Sequence, residues 1–272
     1  MERVQFFDAH NHLADPEFDD SRREVLSECA DLGIVCVVNS ARPSDWPRVS
    51  DLAATNPAMI PCFGVHPWFL HEGSEGALRS LRDLLLARPS AVGEIGLDYS
   101  RTEIDREDQI RLFARQLTLA AEFNRSVSIH CVKAWGDMLT VLRESARPQV
   151  GFLLHSYSGP IELVAPLARL GAYFSFSESS VPAYEKSQVG IRGRPMALLQ
   201  QIPRDRLLLE TDAPGRRSNK GGVYPIRPSS VVPLYRQMAM VLGEEPEKLQ
   251  AELNDNGQRL FEPINQGVSG SS

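Results

Sequence analysis

Three residues in the run Phe7-Asp8-Ala9-His10-Asn11-His12 carry groups that bind cations. Side chains alternate along a strand, so imidazoles at i and i+2 project to one side and can grip one ion. Asp8 shares their parity and is placed one layer deeper, where it would orient an imidazole. Glu94 closes the apolar run Ala91-Val92-Gly93-Glu94. An ionised carboxylate there is costly unless it is paired or bound to a metal. Its two oxygens could bridge two cations, and Gly93 and Gly96 leave room beside it. His130 follows Ser126-Val127-Ser128-Ile129, His155 follows Phe152-Leu153-Leu154, and Asp212 follows Leu207-Leu208-Leu209-Glu210-Thr211. Each alone is an ordinary polar residue at a strand end. Together, four histidines and two carboxylates from five runs are the ligand supply of a two-metal hydrolase. Such a set suits Zn, Mn, Fe or Co, and Mg where carboxylate and water dominate.

These residues need elements that bring them to one place. The apolar runs predict strands at Val4–Asp8, Ile34–Asn39, Met59–Val65, Ala91–Ile95, Ser126–Ile129, Val150–Leu154, Ala172–Ser175 and Arg206–Glu210. Helical spacing lies between them, at Ser21–Leu32, Asp45–Thr55, Glu75–Ala87, Arg106–Asn124, Ala134–Glu144, Ile161–Leu170 and Pro195–Gln201. Two more helices follow, at Ser229–Leu242 and Pro246–Leu260. Asp105 precedes a first turn rich in acids, and Gly33 and Gly171 mark helix stops. Strands alternating with helices predict an α/β fold, a (β/α)8 TIM barrel. A doubly wound open sheet is the alternative, but only closure brings polar residues from the first and last strands together. Closure sets Asp212 beside His10 and His12, at the C-terminal ends of the strands.

The bulk numbers agree. The chain has 272 residues, and one such barrel needs about 250. A single domain is expected over residues 1–265, with a disordered Gly/Ser-rich tail from Gln266 to Ser272. The net charge of -6 argues against a broad electrostatic nucleic-acid surface, without excluding a local basic rim. Cys29, Cys36 and Cys62 sit in apolar runs and are expected as reduced core residues, and Cys131 follows a candidate ligand. No signal peptide and no membrane span are expected, so the reading is a cytoplasmic protein, a monomer by default.

The motifs resemble the TatD family of metal-dependent deoxyribonucleases, within the amidohydrolase superfamily. The resemblance rests on Phe7–His12, Phe63-Gly64-Val65-His66-Pro67, Val92–Asp98, Ile129-His130-Cys131, Leu154-His155-Ser156, Leu208–Pro214 and Asn256–Phe261. It covers nearly the whole chain. It implies a barrel with two divalent ions (Mg, Mn or Zn): His10, His12, Glu94 and Asp212 at one, and Glu94, His130 and His155 at the other. It implies His66 beside the substrate phosphate. His71 is left over as a surface residue. Many members carry an Arg two residues after the fifth-strand histidine, where this chain has Val132, and an aromatic where it has Gly215.

The first expectation for activity is phosphodiester hydrolysis at DNA 3′ ends. Asp212 would be the general base, Glu94 the bridge and His66 the phosphate contact. Arg216, Arg217 and Lys220, in the loop after the eighth strand, would meet the nucleic-acid backbone. Trp68, Phe69, Trp135 and Tyr157 could stack on a base. The alternative is a small-substrate hydrolase acting on an ester, lactone, amide or phosphoester. A partner-binding protein with a relic site is disfavoured by the full ligand set.

Overall fold

Parallel neighbours need a crossover connection before the chain can return in the same direction. In the computed structural model, which describes residues 6–181, 194–215 and 225–261, every crossover contains a helix. The strands are β1 (Phe6–Asn11), β2 (Ile34–Asn39), β3 (Met59–Phe63), β4 (Ala91–Asp98), β5 (Val127–Val132), β6 (Phe152–Leu154), β7 (Ala172–Phe176) and β8 (Leu207–Leu209). Each pairs in parallel with the next, in chain order. The connecting helices are α1 (Arg22–Leu32), α2 (Trp46–Thr55), α3 (Glu75–Ala87), α4 (Arg106–Glu122), α5 (Trp135–Glu144), α6 (Val164–Arg169) and α7 (Arg194–Gln201). Then come α8 (Val231–Leu242) and α9 (Pro246–Phe261). The fold is the expected (β/α)8 barrel. No helix among the described residues is long and apolar enough to cross a membrane.

Local signals act where they were read. Gly33 closes α1 at φ 67°, a left-handed conformation that glycine takes without Cβ strain. The Asp105 side chain accepts from Asp108 N at 2.9 Å and caps α4.

The lumen is filled by side chains from seven strands. Phe7, Val37, Cys62, Ala91, Leu153, Tyr173 and Leu208 pack with Leu260 and Phe261 of α9. A cluster drawn from that many strands can only be the barrel interior. Helix α9 therefore plugs the bottom, with the Phe7 and Phe261 rings stacked at 5.9 Å. Asn256 Nδ2 holds the same helix to the Arg204 and Leu207 carbonyls at 2.8 and 2.9 Å.

The seam between β8 and β1 is closed by main chain and by one carboxylate. Asp212 N donates to His10 O at 3.0 Å, and His12 N donates to Ala213 O at 2.6 Å. Asp8 accepts from Thr211 N at 2.8 Å, Thr211 Oγ1 at 2.7 Å and Asn11 Nδ2 at 3.0 Å. Asp8 touches no imidazole through these bonds, which corrects its expected orienting role. Its neighbours in the strand explain why. Phe7 and Ala9 face the lumen, and the pairing register of β1 shifts only between Asp8 and Asn11. The shift turns His10 inward and leaves Asp8 in the seam. Burial pushes the Asp8 carboxyl up to about 7, against the pull of its hydrogen bonds to Thr211 and Asn11.

Several strand ends differ from expectation. Strand β1 runs to Asn11, β4 to Asp98 and β5 to Val132, so His10, Glu94 and His130 lie inside strands. Main-chain pairing continues regardless of side-chain polarity, which is what the apolar runs measured. Strand β3 stops at Phe63, β6 begins at Phe152 and β8 is only Leu207–Leu209. The expected tail from Gln266 to Ser272 lies outside the described residues.

Candidate metal centre

Glu94 stands at the middle of the C-terminal mouth, 3% exposed, with imidazoles on both sides. Oε2 is 3.1 Å from His12 Nε2 and 3.6 Å from His10 Nε2. Oε1 is 2.8 Å from His155 Nε2, 2.9 Å from His130 Nδ1 and 3.5 Å from His66 Nε2. Asp212 Oδ1 lies 3.8 Å from both His10 and His12 Nε2. The six residues read as ligands are thus brought together, with His66 beside them. They fall into three overlapping donor groups: His10–His12–Asp212, His10–Glu94–His155 and His66–Glu94–His130. The second cuts across the expected division and the third adds His66 to it, because donor proximity alone cannot separate ligands around a shared carboxylate. The two faces of Glu94 match that division better. His10 and His155 are nonetheless stacked at 4.0 Å between centroids.

The other nitrogen of each ring decides what the inward nitrogen offers. His12 Nδ1 donates to Asn39 O at 3.1 Å, since a carbonyl only accepts. His130 Nε2 donates to Asp98 Oδ2 at 3.0 Å. His10 Nδ1 meets Ser128 Oγ at 2.8 Å. In their neutral forms, His12 Nε2 and His130 Nδ1 then aim lone pairs at Glu94 oxygens. Lone pair and carboxylate repel at that distance unless positive charge lies near both, so this donor set fits divalent cations. His66 is different. Its Nδ1 accepts from Trp68 N at 3.1 Å, so its proton sits on Nε2 and faces the pocket as a donor.

Two carboxylates missed as functional residues complete the shell. Asp98 holds His130 and also accepts from Trp68 Nε1 at 2.7 Å and Ser100 N at 2.8 Å. Glu210 Oε1 lies 3.5 Å from His155 Nδ1, while Oε2 accepts from Ser175 Oγ. Asp98 had a visible signal: Glu94, Gly96 and Asp98 share period-two parity. Glu210 shares parity with Asp212 but sits in the lumen, below the mouth.

The electrostatics follow from this crowding. Burial alone would raise the Glu94 carboxyl, but the imidazoles of His66, His155, His10 and His12 outweigh it and hold it well below the usual range. Burial works the other way on His12, yet Glu94 and then Asp212 raise that imidazole to about 9. Burial likewise opposes charge on His155, and Glu94 with Glu210 wins there too, raising it. For His66 burial dominates and lowers the ring to about 4, so it is neutral near pH 7. Burial also lowers His10, with the charge of His155 adding to the effect.

A pocket of about 260 Å³ opens above Glu94, with His12, His66, His130, His155 and Asp212 in its wall. His10 lies beneath, fully buried. Trp68 and Phe69 line the pocket, but Arg101 covers the Trp68 ring at 4.3 Å and Arg42 covers Phe69 at 4.9 Å. Trp135 and Tyr157 do not line it. They pack edge-to-face at 4.8 Å, and the Tyr157 hydroxyl donates to Pro160 O at 2.8 Å, so base stacking on that pair is corrected to packing. Arg216, Arg217 and Lys220 lie outside the described residues. His71 is 76% exposed, as expected for a surface residue. All four cysteines are buried and unbridged. Burial pushes the Cys131 thiol up, away from nucleophilic chemistry.

Comparison with known proteins agrees with this geometry. The model of a family described as TatD related DNase matches residues 7–262. Human deoxyribonuclease TATDN3 is 28% identical over 273 residues, covering 95% of this chain and 95% of its own. The 3'-5' ssDNA/RNA exonuclease TatD of Erwinia billingiae is 30% identical over 264 residues, covering 94% of this chain and 98% of its own. The crystal structure of YjjV, a TatD homologue from Escherichia coli K12, superposes with a TM-score of 0.83 at 25% identity. It covers 94% of this chain and 98% of that one.

Proposed function

Because the chain belongs to the TatD related DNase family, we propose that it is a divalent-metal-dependent hydrolase that cleaves phosphodiester bonds in DNA, working from 3′ ends. The observation that supports this reading best is the division of imidazoles between the two oxygens of one buried carboxylate. His10, His12, Glu94 and Asp212 would hold one cation, and Glu94, His130 and His155 a second. Bound there, divalent cations polarise a phosphate and lower the pKa of water.

The chain's own residues do the rest. Asp212 is 38% exposed at the side chain and stands at the pocket wall, where it accepts the proton of the attacking water. Water oxygen adds to phosphorus, and the bond to the leaving sugar oxygen breaks. That oxygen takes up a proton from Asp212 or solvent. His66 Nε2–H donates to a phosphate oxygen, a role its neutral ring and its Trp68 contact prepare. Asp98 and Glu210 keep His130 and His155 turned toward Glu94.

Hydrolysis of a small ester or phosphoester is the second reading. Asp15, Asp45 and Asp212 around the pocket favour it, since they repel a long polyanion. The deciding experiment uses metal-stripped protein and a 3′-labelled single-stranded oligonucleotide, with Mg, Mn or Zn added back, beside Asp212→Asn. Metal-dependent release of the 3′ label is expected. The variant should lose on the order of 10²–10⁴ in kcat while keeping its metal. Metal binding without cleavage of any oligonucleotide would transfer the assignment to small esters.

A further inference from the structure

Three consecutive carbonyls, starting at the last residue of β2, hold the site from the side. Asn39 O accepts from His12 Nδ1 at 3.1 Å, Ser40 O from Glu94 N at 2.8 Å and Ala41 O from His66 N at 2.8 Å. The next residue is Arg42, which lines the same pocket as Asn39 and Ala41. Its main chain is held rigidly: Ala41 N and Arg42 N both donate to Asp45 Oδ2, at 3.0 and 3.1 Å. Its guanidinium lies 4.9 Å over the Phe69 ring, three residues beyond His66. Its Nε forms an ion pair with Asp45 Oδ1 at 3.6 Å, too long for a hydrogen bond, which leaves the outer N–H groups of the fork to a ligand. The side chain is 41% exposed and makes no hydrogen bond to a described residue. Among the described residues lining the pocket, Arg42 is the one Lys or Arg, and Asp15, Asp45, Glu94 and Asp212 are the acids there. The end of β5 gives the pocket no cation, because neither Val132 nor Lys133 lines it.

A nucleic-acid strand brings more than one phosphate. The phosphate being cleaved belongs at Glu94 and its histidines. The next one needs a donor fork at the rim, and a planar guanidinium pre-set on an aromatic face supplies it at low entropic cost. We propose that Arg42 receives the non-scissile phosphate adjacent to the reacting one, and so selects single-stranded nucleic acid over substrates with a single phosphate. This assignment rests on the nuclease reading above. It also makes Phe69 the support of the guanidinium rather than a base platform.

The test compares wild type, Arg42→Ala and Arg42→Lys on two substrates across a salt series. One is a single-stranded oligonucleotide and the other is bis(p-nitrophenyl) phosphate, a diester with no neighbouring phosphate. Each phosphate contact to a single strand contributes about 0.7 to the slope of log affinity against log salt. Arg42→Ala should flatten the slope for oligonucleotide KM by about that amount and raise KM roughly tenfold or more, with kcat much less affected. The loss on the aryl diester should be several-fold smaller. Arg42→Lys should restore the slope but not the full affinity, because an ammonium lacks the fork. An unflattened slope in Arg42→Ala, or equal losses on both substrates, would overturn the assignment while leaving the nuclease reading intact. A wild type that hydrolyses the diester but no oligonucleotide would overturn both.

Discussion

At the scale of single residues, the site is an arrangement of ring tautomers. A neutral imidazole offers a cation one lone pair, and the partner of the opposite nitrogen decides which nitrogen carries it. Asn39 O settles this for His12, Asp98 for His130 and the Trp68 amide for His66. His66 comes out with its N–H facing the pocket, although its position among Glu94 and His130 would also let it bind an ion. Asp98 carries the sharpest prediction here. Removing its carboxylate in Asp98→Ala frees His130 and deprives Trp68 and Ser100 of their acceptor. Metal affinity should fall about 10–100-fold, the usual cost of losing such an outer partner. Calorimetric titration of stripped protein with Zn or Mn checks it, and an affinity within twofold of wild type would remove the orienting role. The candidate ligands themselves were legible as residue types at strand ends. Their partners were not, because a hydrogen bond between β4 and β5, or an approach between the residues that follow β6 and β8, has no signature in local spacing.

At the scale of elements, two irregular strands and one helix matter most. The register of β1 shifts between Asp8 and Asn11, and that of β4 between Val92 and Ile95. Each shift changes which face the following residues present. The simple alternation that grouped Asp8 with His10 therefore fails, while His10 and His12 still converge. Helix α9 closes the opposite end. A Cβ on Gly257 would stand 2.6 Å from Phe7 Cγ, so Gly257→Ala must push α9 away from the lumen. The cost should be about 1–3 kcal/mol. Asn256→Ala should cost a similar amount, about 1–3 kcal/mol, because two carbonyls lose a buried donor. Urea unfolding of the metal-saturated variants checks both, and midpoints equal to wild type would show that α9 is not needed as a plug.

At the scale of the whole molecule, the candidate ligands come from β1, β4 and β5 and from the segments after β1, β6 and β8. A cation held by all of them ties the first strand to the last across the mouth. Binding to the folded state alone stabilises it by about 2.7 kcal/mol at a hundredfold excess over Kd. At about 2–4 °C per kcal/mol for a domain near this size, that is a rise in Tm of roughly 5–10 °C. Thermal scans with added Mn or Zn, against scans in chelator, should show it. Glu94→Ala should lose most of the rise, since both ligand groups share that carboxylate. A full metal-dependent rise in that variant would contradict the bridging role.

The sequence by itself determined the fold class, the helix caps at Gly33 and Asp105, and the six residues that meet at the mouth. Those depend on local period, backbone chemistry and the cost of a charge at the end of an apolar run, all of which act between near neighbours. Only the tertiary structure decided that Asp8 closes the seam, that Asp98 holds His130 while Glu210 lies beside His155, and that Arg42 reaches the pocket that His66 also lines. These pairings join residues 24 to more than 200 positions apart, and a one-residue register shift is enough to exchange them. The physical reason is that strand parity fixes a side chain's face only until the ladder slips, and the slip is set by neighbours that the strand's own residues do not encode.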